Sequence, residues 1–174
     1  VGHNAFSHLS PGYTNSTALG ANTVITASNQ VRIGDANVTS IIGQVNFSAV
    51  SDSRFKKDIS YASFQSGQGG VPGLDFIMRL KPVTYHMDTD KINAFMQNHG
   101  DFSYSTTGNT LLQTGFLGQD VENAAVEIGY AFSGVDKPKN EADYYGLRYA
   151  EFVVPLVKAV QEQQMIIEEL KEEI

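Results

Sequence analysis

The residues with the clearest potential for chemistry lie in one short segment, Ser51 to Ile59, which reads Ser-Asp-Ser-Arg-Phe-Lys-Lys-Asp-Ile. A serine and a lysine can act as nucleophile and general base if the lysine is neutral, which requires burial to lower a lysine pKa from about 10.4 toward about 7 or 8. Ser51 and Lys56 face opposite sides of a strand and lie about 140° apart on an ideal helix. The pair therefore needs a bend through residues 52–55, or a partner chain. Without either, the segment is a solvated basic linker.

The bond that such a serine would break follows from ring size. Attack of the Ser51 hydroxyl on the carbonyl carbon of Val50 forms a five-membered ring, and its collapse gives an ester that water hydrolyses. Attack on its own carbonyl needs a strained four-membered ring. Chemistry within one chain favours cleavage between Val50 and Ser51, while cleavage between Ser51 and Asp52 stays open if water or a neighbouring chain attacks.

The preceding segment, residues 1–50, is nearly uncharged, with Arg32 and Asp35 as its charged side chains. An apolar residue followed by Gly and then small or amide residues recurs in it, beginning at Val1, Leu19, Ile33 and Ile42. Such repetition predicts stacked short strands, which we place at Val24–Ile25, Gln30–Ile33 and Ser40–Ile42. Because one such layer cannot bury its apolar face alone, we predict an intertwined trimeric β-fibre. A β-sandwich edge or a loop-rich arm is the alternative.

Residues 51–148 change to a mixed pattern that predicts a small α+β domain. After a Gly-rich loop at 66–73, apolar residues at helical spacing predict a helix from Leu74 to Leu80, and Pro82 ends it before a strand at Val83–Met87. A further strand is predicted at Thr110–Leu117 and a helix at Gln119–Ile128.

Residues 149–174 predict a C-terminal coiled-coil helix, with Pro155 in the first turn of a new segment. Apolar residues alternate at spacings of four and three, with Gln163 able to set register. The predicted trimerisation seam is Leu156, Val160, Gln163, Ile167, Leu170 and Ile174. An amphipathic helix packing on its own domain is the alternative.

Composition excludes several classes of function. The net charge of -7 argues against nucleic acid as a partner, no apolar run suits a membrane, and the absence of Cys removes thiolate sites. The Gly-rich loop lacks the Lys and Ser/Thr of a phosphate loop. The histidines are too scattered for a metal site, so we expect no metal and no cofactor; they are His3, His8, His86 and His99. The start at Val1 predicts a piece of a longer protein.

Three blocks in order carry a family resemblance: the Ser-Asp-x-Arg-x-Lys-x-x-Ile pattern from Ser51 to Ile59, Gly115 to Glu122, and Tyr145 to Glu162. Together they resemble the intramolecular chaperone of phage tailspikes and endosialidases, the S74 peptidase domain. The resemblance implies a homotrimer that templates the folding of the preceding β-fibre and then releases itself, once per chain, by autoproteolysis.

The same resemblance implies roles for single residues. Ser51 would be the nucleophile and Lys56 the general base, with Lys57 a weaker candidate. Asp52, Arg54 and Ile59 match the family pattern without an assigned role. The second hypothesis is a structural cap with the same fold that permanently clamps a fibre or adhesin and never cleaves. The first 50 residues favour a phage tail fibre or a bacterial surface fibre as the setting.

Overall fold

The computed structural model describes residues 1–5, 12–97 and 111–173 as a mixed α+β structure with a C-terminal helix, as the sequence predicts. Its strands are β1 Thr17–Leu19, β2 Val31–Ile33, β3 Val83–His86, β4 Leu112–Gly115, β5 Val135–Asp136 and β6 Gly146–Leu147. Its α-helices are α1 Leu74–Ile77, α2 Thr89–Gln97, α3 Gly118–Glu127 and α4 Val153–Glu172, and two 3₁₀ helices span Ser53–Phe55 and Tyr149–Phe152. The chain forms two compact units.

The first unit, which we call the stack unit, contains residues 1–46, 84–114 and 138–144. Its strands β1 and β2 pair in parallel, with Thr17 opposite Val31. The first residues add another layer, since the Gly20 amide donates to the Val1 carbonyl at 2.8 Å. The Gly34 amide likewise donates to the Leu19 carbonyl at 2.7 Å. The predicted stacking of short segments is therefore present within one chain, and intertwining with other chains stays a prediction.

Glycines at the repeated turns allow these layers to approach closely. Gly20 has φ +105°, and a Cβ built on it would lie 3.1 Å from the Gly34 Cα. Gly2 faces Gly20 in the same way, with a hypothetical Cβ 2.5 Å from the Gly20 carbonyl carbon. Amide side chains also stack, and the Asn15 amide donates to the Asn29 side-chain oxygen at 2.8 Å. The repeated Gly in the sequence thus marks the turns where backbones touch.

Two of the three short strands predicted in this region are absent. Val24–Ile25 lies in an irregular turn rather than a strand, although both side chains are buried. Residues 38–50, including Ser40–Ile42, have no strand and are exposed. The stack unit also contains α2, which the sequence did not indicate, between β3 and its partner β4. The β4 strand is shorter than predicted, and Thr110 lies outside the described residues.

The second unit, the core unit, contains residues 47–83, 115–137 and 145–174. Its centre is Phe76, which is fully buried on α1. The Phe76 ring lies 4.9 Å from that of Phe132, which in turn meets the Phe152 ring edge-on at 4.9 Å. The apolar side of α3 completes this core with Val121, Ala124 and Ala125. Helix α1 ends at Ile77, earlier than predicted, because Arg79 and Leu80 bond three residues back in a tighter turn before Pro82.

The C-terminal helix begins where Pro155 predicts. A 3₁₀ turn precedes it, and Pro155 lies in its first turn, where a missing amide hydrogen breaks no helical bond. Pro155 and Ala159 are buried and Glu162 is half-buried, and these three lie on one face of α4. Helix α4 packs against α1.

Candidate active site

A tight turn brings the two ends of the Ser51–Lys56 segment together. Asp52 caps a single turn of 3₁₀ helix, Ser53–Phe55. Within it the Phe55 amide donates to the Asp52 carbonyl and the Lys56 amide to the Ser53 carbonyl, each at 3.1 Å. This is the kind of bend that strand or α-helical geometry does not provide.

The result of the bend is a direct contact between the two predicted catalytic side chains. The Lys56 Nζ donates to the Ser51 Oγ at 2.9 Å. This distance falls within the range of about 2.6–3.2 Å required of a nucleophile and its general base. A single chain therefore forms the pair, and Lys56 rather than Lys57 is the lysine at the serine.

Asp52 and Arg54, which match the family pattern, form a two-sided clamp on this turn. The Asp52 carboxylate accepts the Arg54 amide at 2.9 Å and, with both oxygens, the Arg54 guanidinium at 2.6–3.1 Å. The hydrogen bonds from Arg54 lower the pKa of Asp52, and the same pairing raises the pKa of Arg54. Sequence alone did not reveal this role, because a spacing of two residues does not show whether a carboxylate and a guanidinium pair with each other or with other groups.

The candidate site is open to solvent in the single chain. Ser51, Lys56 and Ile59 are all exposed, and Val50 retains 82% of its accessible surface. A lysine that serves as general base is normally buried away from water, and Lys56 is not buried in the single chain. The two side chains are thus close enough for proton transfer, but they lack the burial that a serine–lysine pair needs.

The second and third sequence blocks contact each other inside the core unit. The Tyr145 hydroxyl donates to Glu122 at 2.6 Å, and Lys137 forms an ion pair with the same carboxylate. The hydrogen bonds from Lys137 and Tyr145 lower the pKa of Glu122, while the contact with Glu122 raises the pKa of Tyr145. Gly118 faces Tyr145, where an added Cβ would lie 2.9 Å from the tyrosine Cβ.

The third block also holds the start of α1. The Glu162 carboxylate accepts the Leu74 amide at 2.7 Å, a contact between residues 88 positions apart. A Cβ on Gly73 would lie 2.8 Å from the Ala159 amide nitrogen. Gly73 therefore permits α1 to approach α4, and Glu162 satisfies an amide at the start of α1 that has no partner within the helix.

The predicted trimerisation seam is uncovered on α4. Leu156, Val160, Ile167 and Leu170 each expose between 45% and 57% of their surface, and Gln163 is exposed. Ile174 lies outside the described residues. Pro155 and Ala159 lie on a neighbouring face of the same helix and are buried, so α4 packs on its own domain through that face while the described seam residues remain about half exposed.

No metal or membrane feature is present in the part of the chain that the structure describes. Its His, Asp and Glu side chains form no group of three placed to hold a metal ion. Of the histidines, His8 and His99 lie outside the described ranges. Among the described helices, none has the length and apolar character needed to span a membrane.

The fold and the serine–lysine turn together define a small α+β domain with the geometry of a serine peptidase pair at its beginning. Residues 51–130 match the family model of the chaperone of endosialidase, Peptidase_S74. Residues 51–130 are therefore similar to the chaperone of endosialidase, and this similarity supports an intramolecular chaperone role and suggests a serine peptidase activity. The match begins at Ser51, and the third block lies beyond it. No curated protein and no solved structure shows significant similarity to the chain.

Proposed function

We propose that this chain is a self-cleaving intramolecular chaperone, which forms a homotrimer, assists folding of the preceding β-fibre and then releases itself next to Ser51. The observation that carries the proposal is the 2.9 Å contact between the Lys56 Nζ and the Ser51 Oγ at the first residue of the family match. We also propose a division into three domains: the fibre segment 1–50, the chaperone and protease domain 51–148, and the trimerising helix 149–174.

The proposed reaction consumes one water per chain. Neutral Lys56 takes the hydroxyl proton as Ser51 Oγ bonds to the Val50 carbonyl carbon, giving a five-membered tetrahedral intermediate. The carbon–nitrogen bond then breaks, the Ser51 nitrogen takes the proton from Lys56, and Val50 is left as an ester on the serine oxygen. Water hydrolyses this ester to the Val50 carboxylate and restores the Ser51 hydroxyl. Each chain reacts once, so turnover on other substrates is not expected.

Neighbouring chains supply the burial that the reaction needs. Ser51 and Lys56 are exposed in one chain, and a lysine becomes a base near neutral pH when it is desolvated. The other two copies would cover Lys56 and remove it from water only after assembly. Cleavage would then report that three chains have folded together.

Exposed apolar surface supports self-association with identical chains. The segment from residue 38 to residue 61 is almost wholly exposed, and it carries large apolar side chains such as Ile42, Phe47 and Tyr61, each at least 90% exposed. The α4 seam adds a second uncovered stripe. Large apolar surface of this kind marks interaction sites. A three-stranded coiled coil would hold the fibre segments at high effective concentration, which lowers the entropic barrier to long-range β-pairing.

The second candidate is a structural cap of a tail fibre or adhesin that trimerises and never cleaves. The openness of the serine–lysine pair favours it, because an exposed pair that no partner buries stays inactive. Both candidates predict a trimer, so the discriminating event is chain cleavage.

The test is intact mass spectrometry under denaturing conditions on wild type, Ser51→Ala and Lys56→Ala, with Lys57→Ala as the matched control. The proposal expects two fragments from wild type and Lys57→Ala, and intact chains from the other two. The fragment masses decide between cleavage before and after Ser51. Light scattering on the same samples gives the oligomeric state. An uncut wild-type trimer refutes the self-cleaving chaperone and supports the structural cap, and an uncut monomer refutes both candidates.

A further inference from the structure

The most deeply buried stretch of the stack unit is an irregular turn. Thr23, Ile25 and Thr26 each expose 1% or less of their surface. Residues 23–30 form the turn between β1 and β2, and we call them the buried turn. The Thr26 and Ala27 amides donate to the Gln30 side-chain oxygen at 3.0 and 3.1 Å. A buried turn without strand pairing depends on such side-chain partners for its polar groups.

Two of those partners come from a loop more than a hundred residues later in the chain. The Thr26 hydroxyl donates to the Asp143 carboxylate at 2.7 Å, and the Asn140 amide donates to the Thr26 carbonyl at 2.8 Å. The hydroxyl and the carbonyl oxygen of Thr26 thus both bond to residues 138–144, which we call the clip. Arg32, on β2, lies over the Tyr144 ring at 4.9 Å and adds a cation–π contact.

The clip is also joined internally by hydrogen bonds between its own residues. The second Asp143 oxygen accepts the Lys139 amide at 3.1 Å, and the Asn140 side-chain oxygen accepts the Ala142 amide at 2.9 Å. Each side chain therefore uses one atom to shape the loop and another to bind Thr26. Such internal hydrogen bonds lower the entropy lost when the two segments meet.

We propose that the clip is the recognition surface with which the chaperone domain holds the buried turn of the fibre segment, and that it delays release of the chaperone domain after cleavage by holding the two products together. The proposal rests on the proposed function, because Ser51 lies between the two partners in sequence. Cleavage next to Ser51 puts Thr26 on one product and Asn140 and Asp143 on the other. The hydrogen bonds between them do not involve the broken bond, so they survive it.

The first test does not depend on cleavage. Hydrogen exchange is measured on the uncleavable Ser51→Ala chain, alone and combined with Asp143→Ala, Asp143→Asn or Glu141→Ala. We expect Asp143→Ala to speed exchange of the Thr26 and Ala27 amides about fivefold to tenfold, because a buried hydrogen bond is lost. Asp143→Asn keeps an acceptor oxygen and restores most of the protection. Glu141→Ala, an exposed position in the same loop, leaves exchange unchanged. Equal exchange in all four chains overturns the clip.

The second test follows the products by native mass spectrometry after cleavage. We expect the fibre fragment to stay bound in wild type and in Glu141→Ala, and to separate at least about tenfold faster when Asn140→Ala and Asp143→Ala are combined. Equal retention in all samples refutes the clip and leaves the cleavage reaction intact. If no sample is cleaved, the proposed autoproteolysis fails while the exchange experiment still judges the clip. Circular dichroism of each variant establishes that its fold is retained.

Discussion

Replacing Glu162 by Ala tests how the C-terminal block holds the core unit together. The Glu162 carboxylate is 27% exposed and accepts the Leu74 amide at 2.7 Å, at the start of the helix that carries buried Phe76. Removing a hydrogen bond to a charged group destabilises a protein by about 1.5–3 kcal/mol, and partial exposure places this one near about 2 kcal/mol. For a chain of this size that corresponds to a drop in Tm of about 4–8 °C.

The assay is thermal unfolding followed by far-ultraviolet circular dichroism, with all variants at one protein concentration because assembly contributes to stability. Glu162→Gln keeps an acceptor oxygen without the charge, so we expect about half the loss. Glu172→Ala removes an exposed carboxylate from the same helix and is expected to change the stability by less than about 0.5 kcal/mol. If Glu162→Ala and Glu172→Ala have the same Tm, the contact of Glu162 with Leu74 contributes nothing to stability and the reasoning is wrong.

Three further predictions follow from contacts described above. Lys56→Arg keeps a donor to Ser51 but stays protonated, so we expect self-cleavage to slow at least about a hundredfold by mass spectrometry, and normal cleavage would exclude Lys56 as the base. Gly20→Ala strains a φ of +105° and places a Cβ 3.1 Å from the Gly34 Cα, so it should lower the Tm and speed amide hydrogen exchange in the stack unit. Gly43→Ala is the control, because a Cβ there has its nearest contact at 3.4 Å, and equal behaviour of the two variants would contradict the close stacking. Lys137 and Tyr145 lower the pKa of Glu122, so the ionised Glu122 stabilises the fold above the ordinary value of 4.5, and this stabilisation is lost as pH falls through the lowered value. Glu122→Gln should therefore flatten the acidic side of a curve of Tm against pH, and an unchanged acidic side would refute this.

Sequence patterns predicted the elements whose ends are set by local features such as proline. Pro82 marks the boundary between α1 and β3, and Pro155 lies in the first turn of α4 as expected. The helix predicted from Gln119 to Ile128 is α3, shifted by one residue. In each case a local steric rule decides the structure, and the local sequence contains the information.

Helix α2 was missed because its apolar pattern is interrupted. Asn93 is 4% exposed and lies at a position where an amphipathic helix would carry an apolar residue. The strand expected at Val24–Ile25 failed for the opposite reason. Its apolar residues are buried as predicted, but no strand forms there, and the next amide, that of Thr26, donates to the Gln30 side chain.

Half of the candidate site was visible in the sequence and half was not. The sequence left open whether Ser51 and Lys56 meet. In the structure they do, at a bend that also contains the contact between Asp52 and Arg54, which are two residues apart in the family pattern. The contact of Leu74 with Glu162 joins residues 88 positions apart, and that of Thr26 with Asp143 joins residues 117 apart. Periodicity reports which side chains are buried, but not which distant group satisfies them.

The layers of glycine turns in the stack unit have a consequence for the order of folding. Successive layers are joined by backbone hydrogen bonds, as in repeat proteins, whose stability is approximately a sum of contributions from neighbouring repeats. The expensive event is the first ordered layer, since every later one finds a template already in place. A turn that is held by another segment can therefore act as the nucleus for folding of the stack. Once it is ordered, the remaining layers add to it one after another.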